Sequence, residues 1–297
     1  MNDEKDLCVL VEYGSNATKV MTASCSTGEE NSFYRLPLRL ADRLDESGCL
    51  TEDAIAIMLN TIIDVKKRFP NAQEYLLIGT EALRRARNKQ EIIDRIAHEH
   101  GLSLRILSTQ EEAEAAFLGV RDLIPKRKRA VCFDIGGSST EIVKVYGGKI
   151  ESINSFKLGA VDLSRNYSKT MPLKNCAYMG MLFEIDKILR WKVPGSCNVI
   201  GTGGSVHTCA SVAARKAGMP NSGIEGFRLL KGELFRQIQM YRALDLTSIA
   251  RIPGMEPARV DTILPAVMIM HHILEQTDQP YLVATCRGVR HGILMPK

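Results

Sequence analysis

A short strand, an acid, a glycine turn and a second strand occur twice in this chain. No other sequence feature constrains the fold as much. The later copy is AVCFDIGGSSTEIVKV, from Ala130 to Val145. Val131, Cys132 and Phe133 read as a buried strand, and Asp134-Ile135-Gly136-Gly137-Ser138-Ser139-Thr140 as a turn. Ile142, Val143 and Val145 then restart a strand. The earlier copy has its strand at Leu7 to Val11 and its turn at Glu12-Tyr13-Gly14-Ser15-Asn16-Ala17-Thr18, before Val20 and Met21. Moved by 122 positions, Glu12 falls on Asp134, Gly14 on Gly136 and Thr18 on Thr140. One such unit in each half predicts two related domains facing a shared cleft. At 297 residues the chain also exceeds what most single cores hold.

Between and after the copies, helices alternate with apolar strands, which predicts α/β architecture. Thr51 reads as an N-cap, with Glu52 and Asp53 in the first turn. Ile55, Leu59, Ile62 and Ile63 keep helical spacing until Pro70. Strands are expected at Tyr75 to Ile78 and Leu104 to Leu107, and helices at Glu81 to Asn88, Glu91 to His100 and Thr109 to Leu123. Pro125-Lys126-Arg127-Lys128-Arg129 interrupts the pattern and is the expected interdomain connection. The second half reads as strands at Lys149 to Phe156, Asn198 to Ile200 and Tyr281 to Ala284. Helices are expected at Lys174 to Arg190 and Ala258 to Glu275. A third glycine turn, Gly201-Thr202-Gly203-Gly204-Ser205, opens another helix.

Three glycine turns, each directly after an apolar strand, suggest concave anion sites built from backbone N–H groups. Carboxylates such as Glu12 and Asp134 could hold a magnesium ion beside them. The net charge of +5 suits an anionic partner. The eight cysteines form no CxxC pair and read as reduced thiols, many of them buried, in a cytoplasmic protein. The polar, acidic start predicts no secretory signal. The longest apolar run, Ile263 to Met270, contains Pro265 and falls short of the roughly 20 residues of a membrane span.

The set of motifs resembles the Ppx/GppA phosphatase family, the exopolyphosphatases and guanosine pentaphosphate phosphohydrolases of the actin-like, sugar-kinase and Hsp70 ATPase superfamily. The stretches that carry the resemblance are Gly14-Ser15-Asn16, GTEALRRARN (79–88), STQEEAEAAFLGV (108–120), FDIGGSSTEIV (133–143), GTGGS (201–205) and CRGVRHGIL (286–294). The resemblance implies two related actin-like (ribonuclease H-like) domains around an interdomain cleft. They would span 1–124, completed by 286–297, and 125–285, without the helical C-terminal module of longer members. It implies magnesium-assisted removal of the terminal phosphate of polyphosphate or guanosine pentaphosphate, with Glu112 as general base. Phosphate would be held by Gly14, Ser15, Asn16, Arg84, Gly136, Gly137, Ser138, Ser139, Thr140, Gly203 and Gly204. The metal would be held by Glu12, Asp134 and Glu141. A polyanionic phosphate substrate is the expected partner, with no nucleic acid and no membrane; a homodimer is left open.

Three positions depart from the family pattern: Glu12 stands for its aspartate, Ser138 for a glycine, and Asp162 for an arginine. Glu112 has a second reading, because Thr109 and Glu112 also form a capping box. Ser108 with Glu111 forms the same box one residue earlier and would leave Glu112 for other work. Two further functional readings are a nucleotide-dependent kinase and a non-catalytic binder of polyphosphate or an alarmone.

Overall fold

The computed structural model describes residues 6–36, 38–125, 128–191, 197–219 and 224–295. Lys126 and Arg127 of the expected connection lie outside the described residues. The chain divides into two compact units, Met1–Gly119 with Val289–Lys297, and Val120–Gly288. These divisions fall a few residues from the 124/125 and 285/286 positions read from sequence.

In the first unit, β1 (Leu7–Tyr13), β2 (Thr18–Ser24) and β3 (Glu30–Leu36) form an antiparallel meander. Then come α1 (Glu52–Arg68), β4 (Glu74–Gly79), α2 (Glu81–Arg85), α3 (Lys89–His100), β5 (Leu104–Ile106) and α4 (Thr109–Val120). The sheet order is β3-β2-β1-β4-β5, with β4 parallel to β1 and β5 parallel to β4. Thr51 caps α1 as expected, its hydroxyl accepting from the Ala54 N–H at 3.4 Å. Alternation along β1 divides its side chains between two cores. Val9, Val11 and Tyr13 pack with Ile55, Met58 and Ile62 of α1 and Ile92 of α3. Cys8 and Leu10 pack with Ala115 and Ala116 of α4. The same period places Glu12 on the second side.

The second unit repeats this plan. It contains β6 (Arg129–Ile135), β7 (Thr140–Tyr146), β8 (Lys149–Phe156), α5 (Ala160–Tyr167), α6 (Asn175–Ile188), β9 (Asn198–Thr202) and α7 (Gly203–Lys216). Next are β10 (Phe227–Leu230), α8 (Lys231–Ala243), α9 (Leu246–Ala250), α10 (Ile263–Gln276) and β11 (Tyr281–Ala284). Its sheet order is β10-β11-β9-β6-β7-β8, around the largely buried α10. The bounds of β6 and β7 are those of β1 and β2 moved by 122 positions. The turn bond repeats as well: Gly14 N–H donates to Ala17 O at 3.2 Å, and Gly136 N–H to Ser139 O at 2.8 Å. The internal duplication read from sequence is therefore a duplication of structure.

The chain ends in α11 (Val289–Leu294), whose Val289 and Leu294 join the first unit's core beside Leu10. Among the described residues, no helix is long and apolar enough to cross a membrane. One sequence expectation needs correcting, because not every cysteine is a reduced thiol. Cys8 and Cys25 are joined as a disulfide with 5.1 Å between their Cα atoms. Antiparallel pairing sets Cys8 opposite Ala23 and so brings Cys25 alongside, a proximity that spacing in the sequence does not signal.

Candidate functional site

The start of α4 settles which glutamate closes the helix. The Ser108 N–H donates to Glu111 Oε2 at 2.8 Å, and the Glu111 N–H donates to Ser108 Oγ at 3.2 Å. This is a reciprocal capping box. Arg105 also donates to Glu111, and together with Ser108 it holds that carboxyl down at about 2. Glu112 is thus released from capping and turns elsewhere. Its Oε2 accepts from Arg84 Nη1 at 2.5 Å. Arg84 lies in the last turn of α2, and also donates to Leu107 O at 2.8 Å and, through Nη2, to Glu81 Oε2 at 2.8 Å. Burial disfavours the guanidinium charge, but Glu112 and Glu81 outweigh it, so the Arg84 pKa is raised. Two candidates chosen from separate motifs are thereby brought into one ion pair. Sequence reasoning did not single out Glu81; its (i, i+3) spacing from Arg84 on α2 was the available signal.

In the same unit, the β1–β2 turn carries Gly14, Ser15 and Asn16. The Ser15 carbonyl accepts from the Ala41 N–H at 3.0 Å. Both polar atoms of the Asn16 side chain are buried without a partner, as is the Thr18 hydroxyl. Glu12, at the end of β1, takes Lys19 Nζ on Oε1 at 2.6 Å and Arg290 Nη1 of α11 on Oε2 at 2.7 Å. Burial alone would raise its carboxyl; the two cations overcome this and hold it down at about 2. A depressed carboxyl stabilises the fold fully above its unfolded value of 4.5, and that stabilisation is lost as pH falls towards about 2. The thermal midpoint of the wild type should therefore drop between pH 4.5 and 2 more steeply than that of Glu12→Gln. Parallel pH profiles for the two proteins would contradict this.

The second unit gathers its candidates around β6, β7 and β9. Asp134 and Glu141 are cross-strand partners on β6 and β7, so both carboxylates lie on one sheet face, about 5 Å apart at their Cβ atoms. Ser155 donates to Glu141 Oε1 at 2.9 Å. Thr202 pairs with Asp134 across β6–β9, and the turn bends at Gly203, φ 88°, a left-handed conformation that suits glycine. A Cβ on Gly203 would overlap Asp134 Oδ1, so the third turn lies directly on this acid. Gly204 is packed in the same way under the Arg259 guanidinium, and Arg259 Nη1 lies 3.5 Å from Ser205 Oγ. Sequence reasoning did not choose Arg259, which sits more than fifty positions away.

The Gly136 and Gly137 carbonyls are bound by the first amides of α5, Ala160 N–H at 3.0 Å and Val161 N–H at 2.8 Å. Asp162 N–H also donates to Gly137 O, while its side chain pairs with Arg165 on the surface. Ser138 and Ser139 are buried, the Ser138 hydroxyl without a partner. The Thr140 hydroxyl donates to Leu158 O at 2.5 Å and serves to tie the strand down.

Among the described residues, no group of three or more His, Cys, Asp or Glu could hold a metal by itself. A magnesium ion commonly takes one or two carboxylates and completes its shell with water and phosphate oxygens. Asp134 and Glu141, cross-strand neighbours on one sheet face, are the residues here that could supply such a pair of carboxylates.

The chain is similar along most of its length to known proteins. A candidate exopolyphosphatase of Haemophilus influenzae is 26% identical over 301 residues, covering 96% of this chain and 89% of that protein. A guanosine-5'-triphosphate,3'-diphosphate pyrophosphatase of Vibrio cholerae is 26% identical over 215 residues, which is 69% of this chain but 43% of that longer protein. The crystal structure of the Aquifex aeolicus Ppx/GppA family member matches with a TM-score of 0.84 at 23% identity, over 97% of this chain and 96% of that one. An exopolyphosphatase from Cytophaga hutchinsonii matches with a TM-score of 0.84 at 20% identity, over 97% and 96%. These structures establish the two-domain, actin-like fold. The model of the Ppx/GppA phosphatase family matches residues 34–297, a span that holds Arg84, Glu112, Asp134, Glu141 and all three later motifs. With a duplicated hairpin fold and most of its length matched, this chain belongs to the Ppx/GppA phosphatase family.

Proposed function

We propose that this protein hydrolyses the terminal phosphoanhydride of inorganic polyphosphate or guanosine pentaphosphate, with Glu112 as the general base. The observation that carries the reading is the division of labour at α4, where Glu111 closes the helix and Glu112 is held by Arg84. A carboxylate fixed in this way is ready to accept a proton from water. The water oxygen forms a bond to the terminal phosphorus, its proton passes to Glu112, and the bridging P–O bond breaks. Orthophosphate and a chain shorter by one phosphate leave. Arg84, with its planar donor fork, suits the phosphate oxygens, and the turns at 14–18 and 136–140 supply backbone N–H groups. Magnesium on Asp134 and Glu141 would supply positive charge against the phosphate oxygens.

The test is phosphate release from short polyphosphate, long polyphosphate, guanosine pentaphosphate and ATP, each with and without magnesium. Release from polyphosphate or guanosine pentaphosphate, but not from ATP, is the expected result. A second reading, a non-catalytic binder, draws on Arg84, which is already engaged by both Glu81 and Glu112. Binding of the same compounds with no release at any magnesium level would establish that reading instead.

A further inference from the structure

The second unit has a further cavity at the other end of its sheet. The parallel strands β6, β9 and β11 start at Arg129, Asn198 and Tyr281, and all three first residues line a space of about 620 Å3. Lys128, just before β6, lines it too, with Gln279 and with Tyr146, the cross-strand partner of Arg129. The volume falls within the roughly 300–1,000 Å3 of small-molecule sites. Asp134 and the second and third glycine turns lie at the opposite ends of these strands. Asp134 is five positions along β6 from Arg129, roughly 17 Å of extended chain. The cavity is therefore separate from the residues assigned to phosphate hydrolysis.

Its lining combines cations, flat rings and acceptors. Lys128 and Arg129 are the cations, and the described lining residues include no carboxylate. The Arg129 guanidinium lies over the Tyr146 ring, 5.5 Å from its centroid, and Arg228 of β10 lies over Tyr281 at 5.0 Å. Stacking of this kind holds ring and planar donor fork together. The two amides are anchored through their nitrogens. Asn198 Nδ2 donates to Arg129 O at 3.3 Å, and Gln279 Nε2 to Thr277 O at 3.1 Å and Asp278 O at 3.2 Å. A backbone carbonyl only accepts, so in each amide the oxygen is the atom left over. Among the described residues, neither amide oxygen has a hydrogen-bond partner.

Those acceptors decide what the cavity suits. A phosphate chain is itself a set of acceptors and offers the amide oxygens nothing. The exocyclic amino group of adenine or guanine is a donor, and a purine also presents a broad face to a tyrosine ring. We infer that this cavity binds an aminopurine mononucleotide. The amide oxygens of Asn198 and Gln279 accept from the amino group, Tyr146 and Tyr281 pack on the base, and Lys128 and Arg129 hold the phosphate. The site stands whether or not the phosphohydrolase reading does.

The test is calorimetric titration with AMP and GMP, neither of which contains a phosphoanhydride for the protein to consume. Three further ligands are titrated alongside: inorganic phosphate, purine riboside 5'-monophosphate (AMP without its amino group) and IMP (GMP without its own). AMP or GMP should bind wild type, and the matching analogue should bind about tenfold more weakly. Lys128→Met should weaken nucleotide binding about tenfold, and Tyr146→Ala about fivefold or more. Both side chains are exposed, so these variants should keep the wild-type thermal midpoint. Arg84→Met, in the other unit, should bind the nucleotide within about twofold of wild type. No binding of either nucleotide at millimolar concentration overturns the proposal. So does binding that Lys128→Met and Tyr146→Ala leave unchanged, or binding that is lost in Arg84→Met. Equal affinity for inorganic phosphate, or for the analogue without the amino group, overturns it as well.

Discussion

Replacing Glu112 by glutamine should lower phosphate release by about 100- to 10,000-fold, the range that a positioned general base contributes. The substitution is informative because it leaves the surroundings nearly intact. The amide oxygen of glutamine can still accept from Arg84 Nη1, Arg84 keeps its bonds to Glu81 and Leu107 O, and the capping box on Glu111 is untouched. What disappears is the ability to take a proton. The thermal midpoint should therefore move little while the rate collapses. Release rates for the two proteins on the best substrate, with unfolding curves for both, check this. Equal rates would remove Glu112 from the chemistry.

A second large effect is expected from backbone packing alone. Gly159 precedes α5 and packs against the β6–β7 turn so closely that a Cβ would overlap the Gly137 carbonyl and the Ser138 nitrogen. These are backbone atoms, which cannot swing aside as a flexible side chain would. Gly159→Ala must therefore push α5 and the turn apart, straining the bonds from Ala160 and Val161 to the Gly136 and Gly137 carbonyls. Overpacking of this kind costs about 1–3 kcal/mol, or more when backbone is involved. For a unit of this size that lowers the thermal midpoint by roughly 2–12 °C. Gly232→Ala is the matched control. Nothing lies within 4 Å of a Cβ there, and the residue is inside α8, so alanine should be neutral or stabilising by up to about 1 kcal/mol. Similar midpoints for the two variants would show that the close approach at Gly159 has no consequence.

Much of the frame was legible because it rests on local rules. The duplicated hairpins followed from strand, acid, glycine turn and strand, and their bounds repeat in the structure. The cap at Thr51 and the Ser108–Glu111 box each involve residues three positions apart. Sequence and structure part where local signals are weak. β3, ENSFYRL, lacks the apolar alternation of a core strand because it lies at the sheet edge and is half exposed. The duplication was the signal that could have found it, since its counterpart β8 was read correctly. The sequence predicts one helix over Glu81 to Asn88, but α2 stops at Arg85 because Ala86 is already extended.

By itself, the sequence determined two α/β units, their repeated glycine turns and the residue types able to meet phosphate. Those depend on backbone preferences and periodicities that act within a few residues. Only the tertiary structure decided which charges meet. It brought Arg84 to Glu112, Arg259 over Gly204, and Arg290 across 278 positions to Glu12. Ion pairing depends on distance in space and on removal from water, and neither is written in the spacing of a chain before it folds.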